Sequence, residues 1–275
     1  MSNPEATSHS QRHRVVALVN PRLQCQATCA TLIDSGVNLV GIVECNPHSN
    51  GLPIKSFIRL VKKNGLFRTL SQVVARGIYA VRNRRSDSKL FDQLFDQEAI
   101  ERSLANWSGE RIVCESYSDA QTMEKLRELK PDVLVVHSQS WVTKRVRAIP
   151  TKGLVIGGHP GITPHYRGSH SPFWALLHNK PEMVGWTVFH VDQGVDCGDV
   201  ISQGRLPIEP GDSYMSLNWR GMQQIAQAQA DAILNLDRGQ PVPRQPHEEI
   251  PRHSEFGLPG LFSYLRYLRR QTLAR

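Results

Sequence analysis

"VIGGHPGITPHYRGSHSPFW", residues 155–174, is too rich in glycine, proline and histidine to form one uninterrupted helix or strand. It overlaps the apolar run "GLVIGG" (153–158), which predicts a buried strand. His159 therefore leaves a strand end, and the flanking glycines and Pro160 fix its direction beside an open cleft. Imidazole suits proton transfer near neutral pH, so a functional histidine is one interpretation. A solvated loop histidine is the alternative.

Short apolar runs alternate with helical patterns on both sides of this segment. Strands are predicted at 14–20, 37–44, 111–116, 132–137 and 153–158, with two more, perhaps antiparallel, at 184–191 and 199–208. Helices are predicted at 25–34, 119–129 and 170–178, and from Asp212 or Ser213 to about Leu236. This order predicts an α/β fold with a mostly parallel sheet, whose ligands bind beyond the carboxyl ends of the strands. The first strand is not followed by GxGxxG, so the usual dinucleotide site is not supported.

The segment at about 52–107 differs in character, because apolar residues at helical spacing alternate with many basic ones. One apolar stripe comprises Ile54, Phe57, Ile58 and Val61, and a second comprises Val73, Val74 and Ile78. Two helices of an insertion packed on the sheet are one interpretation. A basic amphipathic surface for lipid headgroups or a polyanionic partner is the other.

Composition limits the class of protein. The 275 residues are 40% hydrophobic, which suits one large domain, or one domain with an appendage. The expected organisation is a disordered tail at 1–13, a domain at 14–240 that carries the insertion, and a C-terminal extension at 241–275 ending in a basic helix. The net charge of +8 suggests an anionic partner. No apolar run is long enough to span a bilayer, and no secretion signal is evident.

The cysteines and acidic residues suggest neither disulfides nor a metal site. Five cysteines are scattered without CxxC pairs, which favours buried thiols and a cytoplasmic location. Asp192, Asp196 and Asp199 lie in the glycine-containing loop of "HVDQGVDCGDVI" (190–201), but their spacing lacks the full ligand pattern of a calcium loop. We therefore expect no metal, and we interpret this loop as one whose aspartate orients or charge-stabilises a histidine.

The segments "HPGITPHYRGSHSPFWAL" and "GWTVFHVDQGVDCGDVI" together resemble the formyltransferases that use 10-formyltetrahydrofolate. That family includes methionyl-tRNA formyltransferase, glycinamide ribonucleotide formyltransferase and N-formyltransferases of nucleotide-linked amino sugars. The resemblance covers about 110–240 by motif and 14–45 by topology only. It implies a Rossmann-like sheet flanked by helices and a reaction in which an amine attacks the formyl carbon to give a tetrahedral intermediate.

The resemblance also implies roles for individual residues. His159 matches the histidine that stabilises the developing oxyanion and moves a proton, and Asp196 matches the aspartate that holds it. Tyr166, Arg167 and Gly168 match the motif that shapes the acceptor side of the cleft. The segments 138–146 and 191–196 match the pteridine pocket. Within them the expected folate-binding residues are Ser140, Trp141, Val142, Val191, Gln193, Gly194 and Val195.

One position departs from the family pattern. An asparagine is expected two residues before the histidine, and this chain has Gly157 there. Loss of one donor to a developing oxyanion costs about 10²–10³ in rate. Gly157 either enlarges the site, so that water, a backbone donor or another side chain replaces the amide, or marks a protein that binds without transferring.

The acceptor is inferred by exclusion. The extension at 241–275, which follows the helix ending near Leu236, has 35 residues, too few for the tRNA-gripping domain of methionyl-tRNA formyltransferase, and no RNA-binding pattern is visible. The segment "VNPRLQCQ" (19–26) lacks the glycines of the purine enzyme's phosphate loop. A small anionic amine is left, such as a nucleotide-linked amino sugar. A tRNA-directed enzyme without that domain remains an alternative, as does peripheral membrane contact through the basic helices; DNA is not expected.

Overall fold

The computed structural model describes residues 12–46, 58, 60–62, 64–192 and 194–273. Their centre is a seven-stranded sheet in the order β3-β2-β1-β4-β5-β7-β8. Its strands are β1 (Val15–Val19), β2 (Leu39–Cys45), β3 (Glu110–Cys114), β4 (Val133–His137), β5 (Leu154–His159), β7 (Gly185–His190) and β8 (Val200–Arg205). The first five run parallel, whereas β7 is antiparallel to both β5 and β8. The predicted α/β class and its antiparallel pair are confirmed.

Helices cover both faces of the sheet. They are α1 (Leu23–Asp34), α2 (Leu66–Leu94), α3 (Gln97–Ala105), α4 (Ala120–Glu128), α5 (Lys144–Arg147), α6 (Ser171–Leu177), α7 (Tyr214–Asp237) and α8 (Leu261–Leu273). Residues of α1 and α7 share a buried cluster with one face of the sheet. Residues of α4 and α5 share another cluster with the opposite face. No helix of the described ranges is long and apolar enough to cross a bilayer.

Ser213, one of the two residues at which the sequence predicted this helix to begin, caps the start of α7. Its hydroxyl accepts a hydrogen bond from the Ser216 amide at 3.0 Å, and the Ser216 hydroxyl accepts one from the Ser213 amide at 2.9 Å. This reciprocal box satisfies two amides that the first turn of a helix otherwise leaves unpaired. Four cysteines are buried, as expected, and burial raises the pKa of Cys25 to about 11.

The second apolar stripe of the basic insertion does not pack on the sheet, as the first of the two interpretations required. Val73, Val74 and Ile78 are exposed, and the buried residues of α2 are Thr69, Gln72, Ala75 and Tyr79. Ala75 and Tyr79 belong to an aromatic cluster with residues of α6, α7 and α8, rather than with the sheet. The prediction that Val73, Val74 and Ile78 form the packing side of this helix is therefore wrong. The opposite side of α2 packs instead, because tyrosines on neighbouring helices give it a larger surface to bury. Of the first stripe, Ile54 and Phe57 lie outside the described residues and Ile58 is exposed.

The C-terminal extension joins this helical layer and contributes one strand of a separate two-stranded sheet. Its short strand β9 (Glu255–Phe256) pairs in parallel with β6 (Arg167–Gly168). Helix α8 then buries Tyr264 and Tyr267 in the aromatic cluster of α2 and α6. The segment after residue 240 thus packs against the part of the chain that carries the histidine motif. The expected boundary at 240 stays a prediction.

Candidate active site

His159 is the last residue of β5, at the carboxyl edge of the parallel strands. Its Nδ1 atom lies 3.2 Å from Oδ2 of Asp196, which belongs to the loop between β7 and β8. That loop folds back over β5, and Asp196 adopts a φ of 49°, a left-handed conformation that aspartate tolerates better than most residues. The structure therefore brings together the two residues for which the sequence predicted catalytic roles.

The other ring nitrogen of His159 faces the protein as well. Nε2 lies 2.8 Å from the carbonyl oxygen of Tyr166 and 2.7 Å from the Ser171 hydroxyl. The same hydroxyl donates a hydrogen bond to the Tyr166 carbonyl at 3.0 Å. His159 is only 4% exposed, so a substrate atom can bond to Nε2 only by displacing Ser171 or the Tyr166 carbonyl.

Tyr166, Arg167 and Gly168 form the support of the His159–Asp196 pair. The Gly168 amide donates to Oδ2 of Asp196 at 3.0 Å, and Nη1 of Arg167 donates to the Val195 carbonyl at 2.8 Å. Tyr166 and Arg167 are buried. Through these contacts the motif holds the aspartate loop against β5, and its predicted contact with an acceptor stays a prediction.

The C-terminal segment contacts Tyr166 and Arg167 and holds them in place. Ser254, just before β9, accepts a hydrogen bond from Nε of Arg167 at 3.1 Å, and its carbonyl accepts one from the Arg167 amide at 2.8 Å. Phe256 stacks on the Tyr166 ring, with 5.6 Å between centroids. Residues almost a hundred positions apart in the chain therefore share one wall of the site.

Gly157 does not open onto empty space. A Cβ atom at this position would stand 2.7 Å from Cγ2 of Val191 and 3.0 Å from two ring atoms of Phe189. Contacts this short require neighbouring atoms to move. The interpretation that Gly157 enlarges the site stays a prediction. The groups nearest to that Cβ position are the apolar side chains of Val191 and Phe189, which donate no hydrogen bond.

The loop after β4 carries the first group of predicted folate-binding residues. Val142 is buried in the cluster on one face of the sheet, whereas Trp141 is 60% exposed. Nδ2 of Asn20 donates to the Ser140 hydroxyl at 3.3 Å, and Oδ1 of Asn20 accepts from the Gln139 backbone amide at 2.7 Å. The side chain of Asn20, which follows β1, thus ties the ends of β1 and β4 together.

The second group lies in the loop after β7. Val191 packs against the same cluster as Val142, and its amide donates to the Val155 carbonyl at 2.8 Å. Gly194 adopts a φ of 103°, and the Val195 carbonyl is taken by Arg167. Gln193 lies outside the described residues. The folate contacts of both groups stay predictions.

Three contributors to the site escaped the sequence analysis: Ser171, Ser254 and Asn20. Ser171 lies inside the quoted segment, but a serine at a helix start is usually a cap, so nothing in the pattern connects it with His159. Ser254 lies in a proline- and arginine-rich stretch without apolar periodicity. Asn20 ends a buried strand, a position at which ligand-binding residues concentrate in parallel sheets, and that signal could have found it.

A glycine-flanked histidine paired with an aspartate at the carboxyl edge of a parallel sheet is typical of enzymes that transfer groups by proton-assisted attack. Residues 58–233, more than half of the chain, match the family model described as formyl transferase. The chain belongs to the formyltransferase family.

Relatives in this family differ in their acceptors. Methionyl-tRNA formyltransferase from Syntrophus aciditrophicus is 31% identical over 135 residues, covering 48% of this chain and 41% of that protein. GDP-perosamine N-formyltransferase from Brucella melitensis is 30% identical over 112 residues, covering 40% of this chain and 42% of that protein. The match thus spans about two fifths of the length of these curated relatives.

Solved structures share the fold. A sugar N-formyltransferase from Shewanella sp FDAARGOS_354 has a TM-score of 0.51 at 15% identity, covering 93% of this chain and 88% of that one. Glycinamide ribonucleotide transformylase 1 from Symbiobacterium toebii has a TM-score of 0.54 at 14% identity, covering 83% of this chain and 89% of that one. At such identities the likeness concerns the fold alone.

Proposed function

We propose that this protein transfers a formyl group from 10-formyltetrahydrofolate to the amine of a small acceptor, most plainly a nucleotide-linked amino sugar. The observation that carries the proposal is the His159–Asp196 pair, at 3.2 Å, at the end of β5 in a formyltransferase-family chain. The GDP-perosamine relative and the fold shared with a sugar N-formyltransferase support the acceptor class. The cytoplasm, where folates and nucleotide sugars meet, is the proposed compartment.

The residues at hand suit proton movement during such a transfer. The donor supplies the formyl carbon; the amine bonds to that carbon, the bond from carbon to the folate nitrogen breaks, and one amine proton ends on that nitrogen. Asp196 holds His159 through Nδ1, and Ser171 bonds Nε2. A histidine whose two ring nitrogens are both hydrogen-bonded keeps one orientation. It can therefore transfer a proton without first changing its rotamer.

In this proposal Trp141 stacks on the pteridine, and Ser140, Val142, Val191, Gln193, Gly194 and Val195 line the folate side. The side chain of Asp196 is more exposed than that of His159, at 22% against 6%. Asp196 is therefore the member of the pair that an incoming amine meets first. Tyr166, Arg167 and Gly168 keep its carboxylate in place.

Two other functions rest on specific observations. Gly157, with Phe189 and Val191 against it, favours a folate-binding protein that transfers nothing, because the expected amide donor is missing. The 31% identity to a methionyl-tRNA formyltransferase favours transfer to aminoacyl-tRNA. A single assay distinguishes these two functions from formyl transfer to an amino sugar.

The assay follows release of tetrahydrofolate with GDP-, UDP- and dTDP-linked amino sugars and with methionyl-tRNA. We expect turnover on an amino sugar, a fall of about 100-fold or more in His159→Ala, and unchanged turnover in His165→Ala. His165 is exposed in the same segment and serves as the matched control. Turnover on methionyl-tRNA alone would overturn the acceptor, and folate binding without turnover on any acceptor would overturn the enzyme.

A further inference from the structure

Helix α2 turns an apolar face toward solvent, directly opposite the face by which it packs. Successive helical residues are about 100° apart, so the buried Gln72, Ala75 and Tyr79 mark one side of the helix. The other side carries the outward apolar face, defined as Leu66, Phe67, Leu70, Val73, Val74, Ile78 and Val81. Phe67 is 76% exposed and Val81 is 85% exposed.

An exposed apolar face of this length marks a contact surface. Seven large apolar side chains on more than four turns form a contiguous stripe about 20 Å long. Contiguous apolar patches are rare on the surface of monomeric proteins and mark interaction sites. None of these side chains is needed to hold α2, because the opposite side already buries Ala75 and Tyr79 in the aromatic cluster.

The charges around this face are mainly basic. Residues 60–92 contain eight basic residues, Lys62, Lys63, Arg68, Arg76, Arg82, Arg84, Arg85 and Lys89, against two acidic ones, Asp87 and Asp92. Asp87 accepts hydrogen bonds from the hydroxyls of Tyr79 and Ser213, which hold it on the packed side. Arg84 and Arg85 follow the apolar face by one turn, on the same side of the helix.

Helix α8 places a second apolar and basic surface next to this one. The Leu261 amide, where α8 begins, donates to the Ser71 hydroxyl of α2 at 2.8 Å. Phe262 and Leu265 on α8 are exposed, and so are Arg266 and Arg269 beside them. The two helices thus meet at a surface on which apolar side chains are bordered by arginines.

We propose that the outward apolar face of α2 docks on an anionic lipid bilayer, with its apolar side chains at the level of the acyl chains and its arginines among the headgroups. Amphipathic helices that lie on membranes combine an apolar face with flanking basic residues in this way. A second copy of the chain is the weaker occupant. Pairing two α2 helices in either direction brings Arg84 and Arg85 of one copy close to basic residues of the other.

Vesicle flotation tests this docking with the full chain, without substrate or turnover, so its outcome is independent of the proposed transfer. The vesicles are phosphatidylcholine alone, or equal parts phosphatidylcholine and phosphatidylglycerol. We expect binding to the mixed vesicles only, weakening as salt rises because headgroup attraction is screened. Binding to neither vesicle, or equal binding to both at every salt concentration, would overturn the proposal.

Two pairs of variants separate the apolar from the charged contribution. The combined change Phe67→Ser and Leu70→Ser should reduce binding about tenfold or more, whereas Val113→Ser, at an exposed valine on β3, should leave it unchanged. Arg84→Glu with Arg85→Glu should also reduce binding about tenfold or more, and Arg127→Glu on α4 is the matched control. Equal effects of test and control variants would refute the assignment to α2.

Sedimentation without vesicles tests whether the outward apolar face binds a second copy of the chain instead of lipid. We expect that the wild type does not self-associate through this face. The combined variant Phe67→Ser and Leu70→Ser should therefore sediment as the wild type does. A wild-type dimer that this variant converts to a monomer would reassign the outward apolar face to self-association and overturn the lipid proposal.

Discussion

A Cβ atom at position 157 would stand within 2.7 Å of Val191 and 3.0 Å of Phe189, so any side chain at this position has to displace them. We expect Gly157→Asn to lower the free energy of unfolding by about 1–3 kcal/mol, as overpacking of a filled core does. Urea denaturation measures this. Adding Val191→Ala removes the closest contact and should recover part of the loss. A single variant as stable as the wild type would show that the site opens at Gly157 after all.

A second single-residue prediction concerns Gln229 on α7, which is fully buried beside Gly158. Within the described residues, neither end of its amide has a hydrogen-bond partner. An unsatisfied buried polar group costs about 1–3 kcal/mol, so Gln229→Met should stabilise the protein by about that amount. Gln224→Met, at an exposed position of the same helix, is the control. Loss of stability in Gln229→Met would mean that the amide is satisfied.

At the scale of elements, helix α8 is a structural part of the fold rather than an appendage. Tyr264 is buried in the aromatic cluster, whereas Phe262, two residues earlier, is 71% exposed. We expect Tyr264→Ala to cost about 3–5 kcal/mol of unfolding free energy and Phe262→Ala less than about 0.5 kcal/mol. Thermal and urea unfolding provide both values. Two small effects would show that α8 contributes little to stability.

Local sequence patterns predict some of the strands and helices correctly, but not how all of them pack. Apolar runs such as 132–137 predict buried strands, because both faces of a parallel sheet are covered. Helix α2 is different, because most of its large apolar residues lie on the exposed side and only the tyrosines of distant helices decide which side packs. The parallel pairing of β6 with β9 depends on a contact between segments about 90 residues apart, which no local pattern encodes.

At the scale of the whole molecule, the site depends on where the fold brings distant segments. The resemblance predicted His159 and Asp196, and the structure places them 3.2 Å apart. It did not predict that Ser171 and the Tyr166 carbonyl close the other side of the imidazole, or that Ser254 supports Arg167. Those contacts depend on the path of the chain around β5 and on the position of β9.

Acid stability is a property of the whole fold that one buried residue controls in part. His137, at the end of β4, is buried beside Thr28, and burial lowers its pKa to about 4. Histidine in the unfolded chain has a pKa of ~6.5. Above that pH, His137 is neutral in both states, and its full contribution to the free energy of unfolding is present. Its contribution, about 3 kcal/mol, is lost as the pH falls from ~6.5 toward 4.

His137→Asn removes this titration and leaves a polar group beside Thr28. We therefore expect the free energy of unfolding of His137→Asn, measured by urea denaturation from neutral pH to about pH 4, to fall by about 3 kcal/mol less than that of the wild type. The exposed His165, changed to asparagine, should follow the wild-type curve. If His137→Asn and wild type lost stability in parallel, His137 would have the same pKa in the folded and unfolded chain, and the end of β4 would have to be solvated.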